Sequence, residues 1–480
     1  MNQFCGVAPS PEVRQAIERR RQALEKRLGT MSPAEIARSL AIPLPRPQLT
    51  GYRDGAFYAD TARMPPSKGI RRALVLLVDF PDVRGRQSKS HFDQMLFGSG
   101  TAAKPTLRDF YRAASYGKLD VQGEVLGWYT LPKPLTFYVG ADSATGDYPN
   151  NGQKLVEDAL DAAISAGVQF GRFDSDRDGH LDGLIVVHAG AGAEEQTDEK
   201  LRKELIWSHK WTIPHPRTVG GVGIWAYTLQ PEDGRVGVFC HEFGHFLGLP
   251  DLYDISYRSE GVGMWCVMGA GSWGGQGDKP TDFCAWSRTQ LGWVKPRSVS
   301  LGAGSSARLT PAHRTRSVIR ISAKRGASQE YFLLESRQCA DLDAGLPGEG
   351  LLVWHVDEAQ DGNGSPPHYQ VGLIQADGAM DLEFNRNRGD QGDPFPGRLR
   401  TVALDDRTTP STRTYGNTPS GVSLTKIAFD PHAGVATLRI SAVAPSPALV
   451  AKTRKAGASA PAAGRRKTKA KRAGRSARHE

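Results

Sequence analysis

The first 297 residues alternate between helical and strand-like hydrophobic patterns. Residues 11–29 place Val13, Ile17, Leu24 and Leu28 at roughly helical spacing among Arg and Glu residues, which predicts an amphipathic helix. Further helices are predicted at residues 107–115 and 155–166, and buried strands at residues 73–80, 119–129 and 184–188. The alternation predicts a mixed α/β (α+β) organisation up to about residue 297.

From about residue 298 the pattern changes to short alternating strands separated by turn residues. Such strands are predicted at residues 317–322, 330–336, 350–356, 369–375 and 436–441. Regular short strands of this kind predict a β-sandwich-like C-terminal domain. The predicted boundaries are 1–66 for a helical leader and candidate prosegment, 67–297 for the α/β domain, 298–442 for the β-rich domain and 443–480 for a tail.

The net positive charge of the chain comes from the tail. The last 30 residues hold 11 of the 61 Lys and Arg residues and one acidic residue, which accounts for the whole net charge of +10. With almost no large apolar residue, residues 443–480 cannot bury a core and are predicted to be a disordered Lys/Arg/Ala-rich tail. Such a segment favours non-specific contact with an anionic surface or nucleic acid.

Several classes of protein are excluded by simple features. No stretch approaches a transmembrane span, and the first residues lack the basic and apolar regions of a secretion signal. Five scattered cysteines argue against a disulfide framework. The segment around Gly190 and Gly192 lacks the residues that a phosphate-binding loop needs, so nucleotide binding is not expected.

The candidate catalytic residues lie in the segment 239–254, which contains the motif HExxH. On a helix, His241 and His245 share one face and can bind a single Zn²⁺, while Glu242 reaches a metal-bound water. Three residues after His245, Gly248 stands where the helix must end and the chain turn back. Asp251 then arrives as a third ligand, which leaves a fourth position open for water, as in a catalytic zinc site.

The extended motif HExxHxLGLPDLYD resembles the immune inhibitor A family of bacterial metallopeptidases, of metzincin type. The segments LVLLVDFPD, FDSDRDGHLDGLIVVHAGAGAEE and GLLVWHVDE also resemble that family. The resemblance implies a metzincin-like zinc peptidase domain over residues 67–297, with Met268 as the residue of a Met-turn beneath the metal. It also implies a secreted zymogen, although no signal peptide is visible.

A second metal site is predicted between the helix and strand that precede the zinc motif. Carboxylates stand at alternate positions of a tight turn around Gly179. Oxygen ligands this close together favour binding of Ca²⁺. The position of a bidentate Glu in an EF-hand is occupied by Ile185, so other ligands must come from elsewhere. The candidate ligands are Asp174, Asp176, Asp178, His180 through its backbone carbonyl, and Asp182.

Cys5 admits two interpretations. As a thiolate it could cap the zinc and hold a zymogen inactive, because Cys is a good zinc ligand and the leader resembles a prosegment. The favoured interpretation is an ordinary free thiol near the chain terminus.

The sequence therefore predicts a zinc-dependent endopeptidase that acts on protein or peptide substrates, with Glu242 as general base for the metal-activated water. One alternative is a non-catalytic binding or surface-attachment protein that retains a structural metal site. A third possibility is a zinc hydrolase of a non-peptide amide.

Overall fold

The computed structural model describes residues 5–28, 67–101, 104–302, 304–323 and 329–443. The described residues up to Ala442 belong to one compact unit. Residues 29–66 of the predicted leader and residues 444–480 of the predicted tail lie outside these residues. Within them, no helix has both the length and the apolar character that crossing a membrane requires.

The described residues form eight α-helices and fifteen strands. The helices are α1 (Pro11–Leu28), α2 (Lys89–Phe97), α3 (Leu107–Ala114), α4 (Leu135–Val139), α5 (Gly152–Ser165), α6 (Glu199–Arg202), α7 (Val236–Phe246) and α8 (Ala285–Gln290). The strands are β1 (Cys5–Gly6), β2 (Gly69–Asp79), β3 (Leu119–Thr130), β4 (Leu184–His188), β5 (His209–Val219), β6 (Val222–Pro231), β7 (Arg297–Ser298), β8 (Ser305–Leu309), β9 (Val318–Ser322), β10 (Glu330–Arg337), β11 (Gly350–Asp357), β12 (Val371–Leu373), β13 (Ala403–Asp405), β14 (Val422–Asp430) and β15 (Val435–Ala442). Short 3₁₀ helices lie at Phe170–Phe173, Ala193–Glu195, Gly263–Trp265, Ala270–Gly277 and Asp341–Gly345.

A six-stranded mixed sheet in the order β1-β5-β6-β4-β2-β3 organises the N-terminal part. The pairs among β6, β4, β2 and β3 are parallel, whereas β5 runs antiparallel to both β6 and β1. Strand β2 is buried on both faces: Val75 and Leu77 join one core with α2, α3 and α7, and Leu74 and Leu76 join another with α4 and α5. A continuous apolar run suits a strand covered by helices on both sides.

Two further sheets form the β-rich C-terminal region. One has five strands in the order β12-β11-β10-β9-β7, and the other has four in the order β13-β14-β15-β8. Alternate residues of β10 divide between two cores. Phe332 and Leu334 face the four-stranded sheet, whereas Tyr331 and Leu333 join the core that contains α7. The β-rich region therefore packs directly against the helical layer that carries the HExxH motif.

A group of buried charged residues lies at that contact. Glu335 on β10 accepts hydrogen bonds from the guanidinium groups of Arg288 and Arg337 and from Nε1 of Trp354. Arg337 also binds Asp343 through Nε at 2.6 Å. The side chains of Arg288, Glu335, Arg337 and Asp343 are completely buried. Each charge in the group therefore depends on its partners for compensation.

The structure agrees with the expected mixed α/β part followed by a β-rich part. The helix predicted at residues 155–166 is observed as Gly152–Ser165, and the strand predicted at residues 350–356 as Gly350–Asp357. Several strands were not predicted. The hairpin of β5 and β6 and the long strand β14 are the largest of these.

We expect Glu335→Gln to destabilise the protein by about 3 kcal/mol, because Arg288 and Arg337 would lose a buried counter-charge. Urea unfolding would measure the change. As a control, Asp161→Asn breaks a more exposed ion pair with Arg217 and should change stability by less than about 0.5 kcal/mol. Equal effects of the two variants would contradict this role of Glu335.

Candidate metal centre

Helix α7 carries His241, Glu242 and His245 on the side opposite its packing residues. Phe239, Cys240 and Phe243 join the core beneath the sheet. The hydroxyl of Tyr111 on α3 donates to the carbonyl of Cys240 at 2.6 Å and so links α3 to α7.

The end of α7 turns the chain back towards the two histidines. Gly248 has a φ of +90°, a left-handed conformation that glycine adopts without steric cost. The N–H of Gly248 donates to His245 O at 3.0 Å and that of Leu249 donates to Gly244 O at 3.2 Å, which is the Schellman pattern of helix termination. The returning chain brings Asp251 to the metal centre.

Three side-chain atoms form a nearly equilateral triangle. Nε2 of His241 lies 3.1 Å from Nε2 of His245 and 3.1 Å from Oδ1 of Asp251, and the remaining side is 3.2 Å. In a tetrahedral zinc site with bonds of about 2.0–2.1 Å, neighbouring nitrogen and oxygen ligands lie roughly 3.3 Å apart. The three side chains are therefore spaced as the ligands of one zinc ion.

The hydrogen bonds of the two rings leave the facing nitrogens as lone-pair donors. Nδ1 of His241 donates to Val267 O at 2.8 Å, and Nδ1 of His245 donates to Leu249 O at 2.7 Å. A carbonyl can only accept, so each neutral ring carries its proton on Nδ1 and its lone pair on Nε2. Two lone pairs and a carboxylate at this separation repel one another unless a cation lies between them, and the donor set fits zinc.

The electrostatics of the site agree with that arrangement. Burial lowers the pKa of His245, which favours the neutral ring that a metal requires. For Asp251, burial acts to raise the pKa, but the neighbouring His245 and His241 outweigh it and the pKa of the carboxyl lies below its usual range.

Glu242 is completely buried, and neither carboxyl oxygen has a hydrogen-bond partner among the described residues. Burial, followed by the charge of Asp251, raises the pKa of Glu242 well above its ordinary value. A buried carboxyl without a close hydrogen bond is costly, and carboxyls with strongly shifted pKa values cluster at functional sites.

The segment predicted as a Met-turn lies directly under α7. A Cβ built on Gly244 would meet Sδ of Met268 at 2.5 Å, so the sulfur packs against the bare backbone of the helix. The preceding residue, Val267, supplies the carbonyl that orients His241. The segment therefore orients the His241 ring and packs against the helix at the same time.

Comparison with known proteins decides the family. The sequence profile of the immune inhibitor A peptidase M6 catalytic domain matches residues 66–295. These residues belong to the immune inhibitor A peptidase family. The resemblance expected from the motif around His241 is thus confirmed, and membership of a metallopeptidase family implies zinc.

Two curated proteins are similar to part of this chain. The protein named immune inhibitor A of Bacillus thuringiensis subsp. alesti is 36% identical over 264 residues, which covers 44% of this chain and 38% of that protein. The pre-pro-metalloprotease PrtV of Vibrio cholerae serotype O1 (strain M66-2) is 31% identical over 275 residues, which covers 47% of this chain and 30% of that protein. The chain spans well under half the length of either relative.

In this immune inhibitor A peptidase domain, the turn predicted to bind calcium brings only part of the predicted ligand set together. One carboxylate oxygen from each of Asp174, Asp176 and Asp178 lies within 4.8 Å of the others. Asp182 stands outside that group. Its oxygens accept hydrogen bonds from Arg71 Nη1 at 3.1 Å, from the N–H of Arg72 at 2.8 Å and from Ser175. The backbone N–H of His180 donates to Asp178 Oδ1 at 2.9 Å.

The structure also places Cys5 and Tyr253 beside the candidate ligands: one ligand atom each of Cys5, His245 and Asp251 lies within 4.8 Å of the others, and the ring centroids of Tyr253 and His241 are 6.3 Å apart. The hydroxyl of Tyr253 donates to the carbonyl of Gly6, and Cys5 pairs with Lys210 across β1 and β5. Cys5 is separated by more than 230 positions from His245, so spacing alone could not bring them together.

We expect Gly248→Ala to weaken the fold and the metal centre together. A left-handed conformation costs a residue with a Cβ about 1–2 kcal/mol, and a strained turn would displace Asp251. Zinc affinity, measured by competition with a chelator, should fall roughly tenfold, in line with other changes that disturb ligand orientation. Gly171→Ala is the control, because a Cβ there meets nothing within 4 Å and the residue has no positive φ. Unchanged zinc affinity in Gly248→Ala would contradict this role of the turn.

Proposed function

We propose that the protein is a zinc-dependent endopeptidase in which His241, His245 and Asp251 hold the metal and Glu242 is the general base. The observation that carries this proposal is the triangle of ligand atoms 3.1–3.2 Å apart beside a buried carboxyl that has no hydrogen-bond partner among the described residues. The names of the two relatives, an immune inhibitor and a metalloprotease, support it.

Zinc bound by these three residues would polarise a scissile carbonyl and acidify a water. Glu242 accepts a proton from the water while the oxygen of the water forms a bond to the carbonyl carbon. As the C–N bond breaks, Glu242 passes that proton to the leaving amine nitrogen. Burial raises the pKa of Glu242, which makes its carboxylate a stronger base for the proton of the water.

A non-catalytic protein with a structural metal site is the competing proposal. A structural zinc site is normally closed by four protein ligands, whereas the triangle here is formed by three. A structural site also has no need of Glu242, whose burial without a partner weakens the fold. An enzyme acting on a non-peptide amide would share the metal chemistry, and the family favours peptide bonds.

The decisive variant is Glu242→Gln, which keeps the shape of the side chain but cannot accept the proton. We expect wild type and Glu242→Gln each to hold about one zinc per chain, and His245→Ala to hold far less. Casein cleavage should fall by at least about 10² in Glu242→Gln, the usual contribution of a general base.

The assay should compare the intact chains with chains given a brief, then inhibited, trypsin treatment. Arg38, Arg53 and Arg63 offer cleavage sites between the leader helix and the peptidase domain. Equal casein cleavage by wild type and Glu242→Gln after identical treatment would contradict the proposed base. If neither protein cleaves casein although both bind zinc, the result would support the alternative of a non-catalytic binding protein.

A calcium ion bound by Asp174, Asp176 and Asp178 belongs to the same proposal, as a structural element. Their three clustered carboxylate oxygens support it, although Arg71 already neutralises part of the charge through Asp176 at 2.9 Å. Asp182, engaged by Arg71 and Ser175, would act by ordering the turn.

We expect millimolar calcium to raise the melting temperature by about 3 °C or more, because an ion that binds only the folded state stabilises it. Asp178→Asn should lose most of that rise in a thermal melt. Asp93→Asn, an exposed residue on α2, serves as the charge-matched control and should keep it. A rise that is the same in both variants would argue against calcium at this turn.

A further inference from the structure

Two free cysteines meet in the core beneath α7. Cys266 belongs to the Met268 segment, defined as residues 266–269, and Cys284 lies directly before α8. Both side chains are fully buried in the same core as α7, and both thiols are free in this structure. The zinc chemistry makes no use of either thiol.

The two thiols lie within reach of each other. The N–H of Cys284 donates to Sγ of Cys266 at 3.3 Å, which places that sulfur no more than about 4.8 Å from Cα of Cys284. The hydroxyl of Ser287 contacts both sulfurs, at 3.7 Å for Cys266 and 3.3 Å for Cys284. The thiols also hydrogen-bond each other. A disulfide joins sulfurs about 2.05 Å apart, so its formation requires about 2 Å of movement of the sulfurs towards each other.

The surroundings of the two sulfurs make one of them the better nucleophile. Burial acts to raise the pKa of the Cys266 thiol, but hydrogen bonds outweigh it and lower that pKa. Their donors are the thiol and N–H of Cys284, the N–H of Met268 and the hydroxyl of Ser287. Burial, followed by the hydrogen bond with Cys266 and its charge, raises the pKa of Cys284 well above the ordinary value. Because a thiolate is the species that attacks a disulfide, Cys266 is the attacking member of the pair.

We propose that Cys266 and Cys284 form a disulfide when the chain folds in the presence of a low-molecular-weight disulfide, and that this bond ties the Met268 segment to α8. Cys284 first exchanges with the small disulfide, which releases one small thiol. The Cys266 thiolate then attacks Sγ of Cys284, forms the protein disulfide and releases a second small thiol. The protons of the two cysteines pass to the two released thiols, so no other oxidant is needed.

Burial determines when this exchange takes place. Because both side chains are fully buried, a dissolved disulfide does not reach them in the folded chain. Exchange therefore takes place while the chain folds or opens. A small thiol left attached to either cysteine does not fit a close-packed core, whereas a direct bond between the two adds no atoms to it.

The bond would close a stretch of chain that loses much conformational freedom on folding. Five of the residues between the two cysteines are glycines, namely Gly269, Gly271, Gly274, Gly275 and Gly277. Glycine loses more freedom on folding than any other residue. A cross-link at the two ends of the stretch removes part of that freedom from the unfolded chain and so stabilises the folded one.

The bond would also connect the support of His241 to a firmly held helix. Cys266 precedes Val267, whose carbonyl orients the His241 ring. On the other side, the N–H of Ala285 donates to Oε1 of Glu335 on β10 at 3.1 Å, so the start of α8 is anchored to the β-rich region. The disulfide would therefore fasten the Met268 segment to that region. The consequence for zinc retention rests on the proposed zinc centre.

Oxidative refolding of the full-length chain tests the bond directly. Wild type is unfolded, reduced and refolded with zinc, either in a mixture of reduced and oxidised glutathione or with a phosphine reductant. Free thiols are then alkylated and the unreduced digest is analysed by mass spectrometry. We expect peptides linked through Cys266 and Cys284 in the glutathione sample alone. Glutathione on the exposed Cys339 shows that the oxidant acted. The same digest of a chain exported to the oxidising bacterial periplasm needs no refolding.

Cys284→Ser is the matched variant. Cys284 stands at the N-cap of α8, where serine is favoured, so this variant should fold. We expect oxidised wild type and oxidised Cys339→Ser to melt about 3 °C or more above their reduced forms. Cys284→Ser should melt at the same temperature under both conditions. Oxidised wild type should also release zinc to a chelator more slowly than reduced wild type.

The outcomes that contradict the proposal are distinct. Free Cys266 and Cys284 in a sample whose Cys339 carries glutathione, or linkage of either residue to Cys5 or Cys240, would overturn the disulfide. A linked pair without a rise in melting temperature would overturn its stabilising role. Neither result depends on zinc or on peptidase activity, so failure of the zinc centre would appear separately, as absence of metal from the chain.

Discussion

Mutual repulsion at the metal centre is the constraint on which the rest of the structure depends. Two imidazole lone pairs and a carboxylate oxygen meet within 3.2 Å in a buried place, an arrangement that only a cation makes favourable. The fold holds these groups together through a hydrogen bond from Nδ1 of each imidazole ring, the nitrogen that points away from the other ligands. Val267 and Leu249 accept the Nδ1 protons and so determine both tautomers.

Each larger element contributes to that fixation. The parallel strands present one face to α7, and the buried Tyr111 and Met268 support the helix from two directions. The C-terminal sheets take part as well, because β10 and β11 share a core with α7 and place the Glu335 cluster behind it. A substitution in the cluster around Glu335 is therefore expected to alter the geometry of the metal centre, although none of its described residues contacts a ligand.

The convergence of His241, His245 and Asp251 could be predicted from the sequence because the three residues are close along the chain. A helical spacing of four, a glycine for the turn and an acid three residues later are sufficient to bring His241, His245 and Asp251 together. The continuous apolar runs of β2 and β4 likewise predicted buried strands. The hairpin of β5 and β6 was not predicted, because Pro214 and Pro216 interrupt the pattern of β5.

What sequence could not give depends on contacts between distant residues. Arg71 reaches Asp182 across 111 positions, and Asp182 lies outside the cluster of Asp174, Asp176 and Asp178 with which the sequence grouped it. Buried charges such as Glu335 and Arg337 resemble surface residues until their partners are known. Cys5 is the sharpest case: an ordinary thiol was the favoured interpretation, and the pairing of β1 with β5 places its sulfur beside His245 and Asp251.

X-ray absorption at the zinc edge of the purified, intact chain tests the central claim most directly, since it reports the atoms bound to the metal. The account predicts a zinc bound by two imidazole nitrogens and one carboxylate oxygen of the chain, from His241, His245 and Asp251. A chain without zinc, or zinc with no imidazole in its shell, would contradict it.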